Sequence, residues 1–306
     1  MLRIRKILFP TDFSEPSKAA LDHGLLWAEL FDAKLILLHV LSLKTADPFH
    51  PEHHFPSPEE LEQRLHGLAE SEMALFLAPH RDKPLDIQQL VRRAPEVERG
   101  ILELAEAEDV DLMIVGTHGR RGAAHLLIGS VAAELLRGAE RPVLVAPARS
   151  KRPAGRLRRI LAPTDFSPPA RQAIAHAREL AAGTDATLEL FHVLPDLEVP
   201  LPMNPAGLGA SASVVAELEP EARKALSELA ELPGAETKIE TEVWQGPAAA
   251  SILNRAETTD ADLNVLSTHG RSGLDRLLLG SVTEKVARLA RCPVLVIPAE
   301  GRSLLA

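Results

Sequence analysis

GTHGRRGAAHLLIGS, residues 116–130, follows the apolar run Leu112-Met113-Ile114-Val115 and precedes a segment with Val131, Leu135, Leu136 and Ala139 at helical spacing. The run before it predicts a short buried strand; the periodicity after it predicts a helix with Ser130 at its N-cap. Gly116, Gly119 and Gly129 therefore fall in a strand-to-helix connection, where missing side chains let a ligand approach the backbone. The helix start supplies unpaired N–H groups and the positive end of the macrodipole. Arg120 and Arg121 add positive charge inside the loop. These are the requirements of a phosphate chain.

A single glycine loop is weak support, but this one recurs as STHGRSGLDRLLLGS over residues 267–281. Gly119 matches Gly270, Gly129 matches Gly280 and Ser130 matches Ser281, all at an offset of 151. Upstream, Lys6-Ile-Leu-Phe-Pro-Thr-Asp-Phe-Ser14 returns as Arg159-Ile-Leu-Ala-Pro-Thr-Asp-Phe-Ser167 at an offset of 153. The chain is an internal repeat. In each copy a short strand ends at Pro-Thr-Asp, and Ser14 or Ser167 caps a helix running to about Phe31 or Ala182. Pro168 suits the first helical position.

Second strands end in His39-Val40 and His192-Val193, and proline-rich stretches, 45–58 and 195–212, follow as candidate lids. Then come charged helices over 58–77 and 219–232, third strands over 86–91 and 238–244, and helices over 95–107 and 247–256. Each copy closes with the strand Pro142-Val-Leu-Val145 or Pro293-Val-Leu-Val296. Strands alternating with helices, and strands that are apolar throughout, predict an α/β fold with a five-stranded parallel sheet in each half. The expected boundaries are a first domain over 1–148, a linker over 149–157 and a second domain over 158–300. Ligands of such sheets sit beyond the carboxyl ends of the strands at a switch point. Asp12, Val40 and Gly116 should therefore converge in one half, and Asp165, Val193 and Ser267 in the other.

Composition narrows the function classes. The 306 residues are 45% hydrophobic and carry a formal net charge of −9, and aromatic residues are only 3%. That balance is globular, and it argues against a nucleic-acid interface, which needs a basic stripe or stacking platforms. The single cysteine, Cys292, excludes an intrachain disulfide and reads as a structural thiol. The start, MLRIRKILFPTDFS, does not resemble a signal peptide, and no apolar run reaches the length of a membrane span. The expectation is a soluble cytoplasmic protein without nucleic-acid or membrane partners.

Taken together, the motifs resemble the universal stress protein family in its tandem two-domain form. The family signature is G-x-x-G, nine residues, then G followed by Ser or Thr. Gly116, Gly119, Gly129 and Ser130 fit it; the second copy fits at Gly270, Gly280 and Ser281 but has Ser267 in place of the first glycine. The resemblance implies two Rossmann-like domains of the adenine nucleotide alpha hydrolase-like type. It also implies ATP with Mg²⁺ as the ligand of a stress-linked regulatory module.

Carried over position by position, the resemblance puts Asp12 with Val40, and Asp165 with Val193, at the adenine. Pro10, Thr11, Pro163 and Thr164 adjoin them in the same strand-end turns. It puts Val115 with Gly116, and Leu266 with Ser267, by the ribose. The phosphates would meet Gly119, Arg120, Gly129, Ser130, Val131 and Ala132 in one copy, and Gly270, Arg271, Gly280, Ser281, Val282 and Thr283 in the other. If the first loop position needs a positive φ, Ser267 costs roughly 1–2 kcal/mol there. Ala132 lacks the hydroxyl of Thr283, and Ala94 replaces Gly246 before a proline. Family members commonly pair through the last strand, so the two closing strands are expected to make the chain its own pseudo-dimer. A further homodimer and an unidentified protein partner stay open.

Other residues have simpler readings. Asp12 and Asp165 readily order a turn before a helix. His39 and His192 read as packing or hydrogen-bonding residues, and no partner marks His118 or His269 as a base. His50, His53 and His54 form a histidine-rich tract that can bind metal, but it lacks a counterpart in the second copy. With no Walker motif and no carboxylate required at a γ-phosphate, no catalytic residue is assigned. The alternatives to a nucleotide-dependent regulator are a slow ATP hydrolase or self-phosphorylating protein, and a scaffold that binds no nucleotide.

Overall fold

Apolar strands alternate with capped helices along both halves of the chain, and each half folds as its own unit. The computed structural model describes residues 2–42, 58–117, 129–148, 156–196, 207–270 and 279–305. One unit is Ile4–Arg152; the other is Pro153–Ala306 together with Met1–Arg3. The first contains β1 (Lys6–Pro10), α1 (Glu15–Phe31), β2 (Lys34–Leu41), α2 (Pro58–Leu77), β3 (Ile87–Arg93), α3 (Val97–Ala107), β4 (Leu112–Gly116), α4 (Ser130–Gly138) and β5 (Val143–Ala146). The second repeats it with β6 (Arg159–Pro163), α5 (Pro168–Thr184), β7 (Thr187–Leu194), α6 (Gly207–Glu231), β8 (Ile239–Gln245), α7 (Ala248–Thr258), β9 (Leu263–Ser267), α8 (Ser281–Leu289) and β10 (Val294–Ile297).

Within the first unit the strand order is β3-β2-β1-β4-β5, with every pair parallel. Within the second it is β8-β7-β6-β9-β10, again parallel. The architecture is two Rossmann-like α/β domains. Register shows why the inner strands of the first unit are apolar. Ile7 pairs with Leu35 and Phe9 with Leu37, so these four share one face. Helix α1 covers that face: a Cβ on Gly24 would lie 3.1 Å from the Phe9 ring. Val40 has the opposite parity and lies under α3, 3.3 Å from where a Cβ on Gly100 would be. Both faces are dry.

Ser14 and Ser167 cap α1 and α5 by accepting from Ser17 N and Ala170 N, as expected, and Pro168 opens α5. Helix α6 corrects the sequence reading. It begins at Gly207 rather than near Glu219 and runs through Pro220. Gly207 and Gly209 fall in a stretch expected to be irregular; the helix takes them in and continues on both sides of Pro220, since one proline disturbs only a single turn. Leu2 and Arg3 are integrated with the second unit. Leu2 makes an antiparallel bridge with Leu305, and Arg3 N donates to Leu304 O at 2.8 Å. No helix among the described residues is long and apolar enough to cross a membrane.

The difference between Ala94 and Gly246 is compensated locally. A Cβ on Gly100 would come within 2.6 Å of the Ala94 Cβ, so the first unit needs glycine at 100. In the second unit Gly246, at φ +142°, leaves room for Ser251 at the matching position. Gly100→Ala is therefore expected to destabilise the first unit by about 1–3 kcal/mol through overpacking. Adding Ala94→Gly should recover part of that loss. Urea unfolding of the single and double variants measures both effects.

Candidate functional site

In both units the chain runs outward from the first strand on one side, then returns to build the sheet on the other. The switch point lies between β1 and β4 in the first unit and between β6 and β9 in the second. Pro10-Thr11-Asp12 and Pro163-Thr164-Asp165 leave the sheet at one lip of that crevice, and Gly116 and Ser267 end the strands at the other. Val40 and Val193 lie on the neighbouring strands.

The strand-end turns share one backbone pattern. Thr11 N donates to Leu38 O at 2.8 Å, and Thr164 N to Phe191 O at 2.8 Å, extending the ladder one residue beyond the strand. The Thr11 and Thr164 hydroxyls accept from Phe13 N and Phe166 N at 3.0 Å. These bonds stabilise left-handed phenylalanines, φ 62° and 65°. Asp12 Oδ1 accepts from Ser14 N at 3.1 Å and Asp165 Oδ1 from Ser167 N at 3.0 Å. The turn-ordering role of both aspartates is thus real. His39 Nδ1 lies 2.8 Å from Thr11 O and His192 Nδ1 2.7 Å from Thr164 O, as befits hydrogen-bonding residues. The His39 ring stacks on Phe13 with centroids 4.6 Å apart, and the His192 ring lies tilted against Phe166 at 4.5 Å. Sequence reasoning missed these phenylalanines and Ser17, whose hydroxyl meets that of Thr11 at 2.9 Å. The repeated Thr-Asp-Phe-Ser was the available clue.

In the second unit the glycine loop meets the strand-end turn: a Cβ on Gly270 would fall 2.4 Å from Asp165 Oδ2. That glycine makes room for a carboxylate arriving from the other lip, so the loop and the strand-end turn share one crevice. The loop closes where Gly280 N donates to Thr268 O at 2.8 Å; in the first unit Gly129 N donates to Thr117 O at 2.6 Å. Gly119, Arg120, Arg271, His118 and the tract His50, His53 and His54 lie outside the described residues.

The helix starts correct the capping expectation. Gly129 and Gly280, not Ser130 and Ser281, are the N-caps, and neither helix has a side-chain cap. The glycine carbonyls already accept from Ala133 N and Glu284 N at 2.9 Å, which makes each following serine the first helical residue. Ser130 and Ser281 are exposed, Val131 and Val282 half-buried, and Ala132 and Thr283 buried.

Ser267 brings no positive-φ penalty, because it ends β9 in strand geometry and is absent from the left-handed residues. Its hydroxyl donates to His269 O at 2.7 Å, and Thr283 Oγ1 donates to Ser267 O at 2.8 Å. The Thr283 proton therefore ties α8 to the strand end. Val115 and Leu266 are buried, so only their backbone can face a ligand. His269 Nδ1 meets Thr268 Oγ1 at 2.9 Å, while its Nε2 is buried with no partner among the described residues. Cys292 is half-buried. It receives a hydrogen bond from Asn264 Nδ2 at 3.1 Å, and burial pushes its thiol up to about 12.

Residues 3–147 and 156–298 each match the model of the universal stress protein family. The chain belongs to the universal stress protein family. A universal stress protein of Mycolicibacterium smegmatis is 27% identical over 297 residues, 95% of this chain and 96% of that one. One from Methanocaldococcus jannaschii is 38% identical over 147 residues, covering 46% of this chain and 81% of the relative. Among solved structures, a universal stress protein from Pseudomonas aeruginosa superposes with TM-score 0.63 at 23% identity, covering 96% of this chain and 93% of the other. One from Archaeoglobus fulgidus gives 0.61 at 20% identity, covering 96% and 98%. At these identities the structural likeness speaks for the fold of this tandem universal stress protein.

Proposed function

We propose that this universal stress protein is a cytoplasmic, nucleotide-dependent regulatory module that takes an adenine nucleotide, ATP with Mg²⁺, at the switch-point crevice of each unit. The observation that carries the reading is the meeting of Asp165 with Gly270 beside an uncapped helix start. The carboxylate is suited to accept from an exocyclic amine, and the N–H groups of the first helical turn, which have no helical carbonyl to meet, are suited to phosphate oxygens. His269 Nε2 is a buried polar atom without a partner among the described residues, costly unless an incoming group meets it. Mg²⁺ would be held chiefly by the phosphates, with the Ser130 or Ser281 hydroxyl as the protein donor within reach of the helix start.

The proposed site of the first unit is Pro10, Thr11, Asp12, Val40, Val115, Gly116, Gly119, Arg120, Gly129, Ser130, Val131 and Ala132. That of the second is Pro163, Thr164, Asp165, Val193, Leu266, Ser267, Gly270, Arg271, Gly280, Ser281, Val282 and Thr283.

The test is calorimetric titration of nucleotide-stripped protein with Mg-ATP. Two sites per chain are expected, with Gly129→Val removing one and circular dichroism confirming a retained fold. A branched side chain at an N-cap blocks the approach to the helix N–H groups, and a loss of at least 30-fold, about 2 kcal/mol, follows. Folded wild-type protein that releases no heat at any nucleotide concentration would leave the scaffold reading in its place.

A further inference from the structure

Helix α2 carries Leu61, Leu68 and Leu75, seven residues apart and 40%, 62% and 68% exposed. Residues seven apart on a straight helix drift by only about 20°, so the three form one stripe. The fold does not require them. Helix α6 is the same element in the second unit, aligned by buried residues at an offset of 153: Ala69 with Ala222, Met73 with Leu226, Phe76 with Leu229. On that alignment Leu68 and Leu75 correspond to Glu221 and Glu228, both exposed. One backbone thus presents acid in one copy and leucine in the other, and only the leucine face resembles a contact surface.

The stripe is self-complementary about Leu68. Leu61 and Leu75 lie equally far on either side of it, and so do Arg64 and Glu72, which are exposed and opposite in charge. We propose that α2 is a homotypic docking surface on which a second copy of this chain lays its own α2 antiparallel, with a two-fold axis at Leu68. In that pairing Leu68 meets Leu68 of the partner copy, and Leu61 meets Leu75 of the partner copy. Arg64 then comes level with Glu72 of the partner copy. A parallel pairing would instead set Arg64 beside Arg64, like charges at the same height. Gly67 borders the axis, and no atom lies within 4 Å of where its Cβ would be, so the two backbones can approach closely there. Isologous contact of this kind closes at two subunits and leaves the switch-point crevices uninvolved. Twenty residues of helix span only about 30 Å, so the interface is small and the dimer belongs in the micromolar range.

The experiment compares wild type with Leu68→Glu/Leu75→Glu, which copies residues the second unit already tolerates, by sedimentation across about 1–200 μM. The variant is expected to weaken self-association at least tenfold while keeping its circular dichroism spectrum. In a Cys292→Ser background, Leu68→Cys should oxidise to a linked dimer. Leu61→Cys and Leu75→Cys should link to each other when mixed, but poorly to themselves. Equal sedimentation of wild type and variant would overturn the proposal, whether the stripe is then covered by residues 43–57 or by another protein. Self-linking of Leu61→Cys as efficient as that of Leu68→Cys would overturn the antiparallel register.

Discussion

Replacing Glu189 by alanine should destabilise the second unit by about 3 kcal/mol, or roughly 10 °C in unfolding midpoint. Glu189 lies in the interior strand β7 and is fully buried. Its Oε2 accepts from Arg159 Nη1 at 2.9 Å, and its Oε1 from Arg255 on α7. Arg159 also reaches Glu240 at 2.8 Å, and the Arg255 guanidinium lies 5.4 Å from the centroid of the Trp244 ring. Removing the carboxylate leaves two half-buried guanidinium groups short of their central acceptor, which is where the loss arises.

The first unit shows the apolar solution: at offsets of 153 and 151, Ile36 and Leu104 stand where Glu189 and Arg255 do. Glu189→Ile combined with Arg255→Leu should therefore recover most of the stability lost in Glu189→Ala. Fluorescence of Trp244 in a Trp27→Phe background reports on this unit alone. A change below about 1 kcal/mol for Glu189→Ala would place the network at the level of a surface ion pair.

Acidification is expected to weaken the first unit by about 3 kcal/mol between pH 6.5 and 4 through His23 alone. Burial on α1 lowers His23 to about 4, with Asp22 opposing the shift. Because the folded state binds the proton more weakly than the unfolded chain, the stabilising contribution is complete above pH 6.5. It is lost as pH falls towards 4. His176 is the matching residue at an offset of 153, and burial lowers it too. It donates from Nδ1 to Gln172 O at 2.8 Å, so Nε2 is left to accept from Leu304 N at 3.1 Å; protonation would break that clasp. Urea unfolding followed through Trp27 in a Trp244→Phe background should show the slope, and His23→Gln should flatten it. An unchanged slope in that variant would assign the acid sensitivity elsewhere.

Much of this was legible from one dimension. The repeat, the strand-helix alternation and the Ser14 and Ser167 caps follow from local propensity and period, and the structure agrees at each. Other features depended on through-space contacts. Ser130 read as a cap because serine prefers that position, but the backbone of Gly129 takes it, since its carbonyl already closes the first helical bond. Helix α6 begins at Gly207, within a stretch whose prolines and glycines pointed to irregular backbone.

The sequence by itself determined a tandem α/β protein and its family, because these depend on residue type and spacing. Only the tertiary structure decided that Gly270 is small to admit the Asp165 carboxylate. It alone showed that Ser267 is unstrained and that Glu189 is neutralised by arginines from β6 and α7. Each of these depends on atoms brought together from distant parts of the chain, a distance that periodicity does not encode.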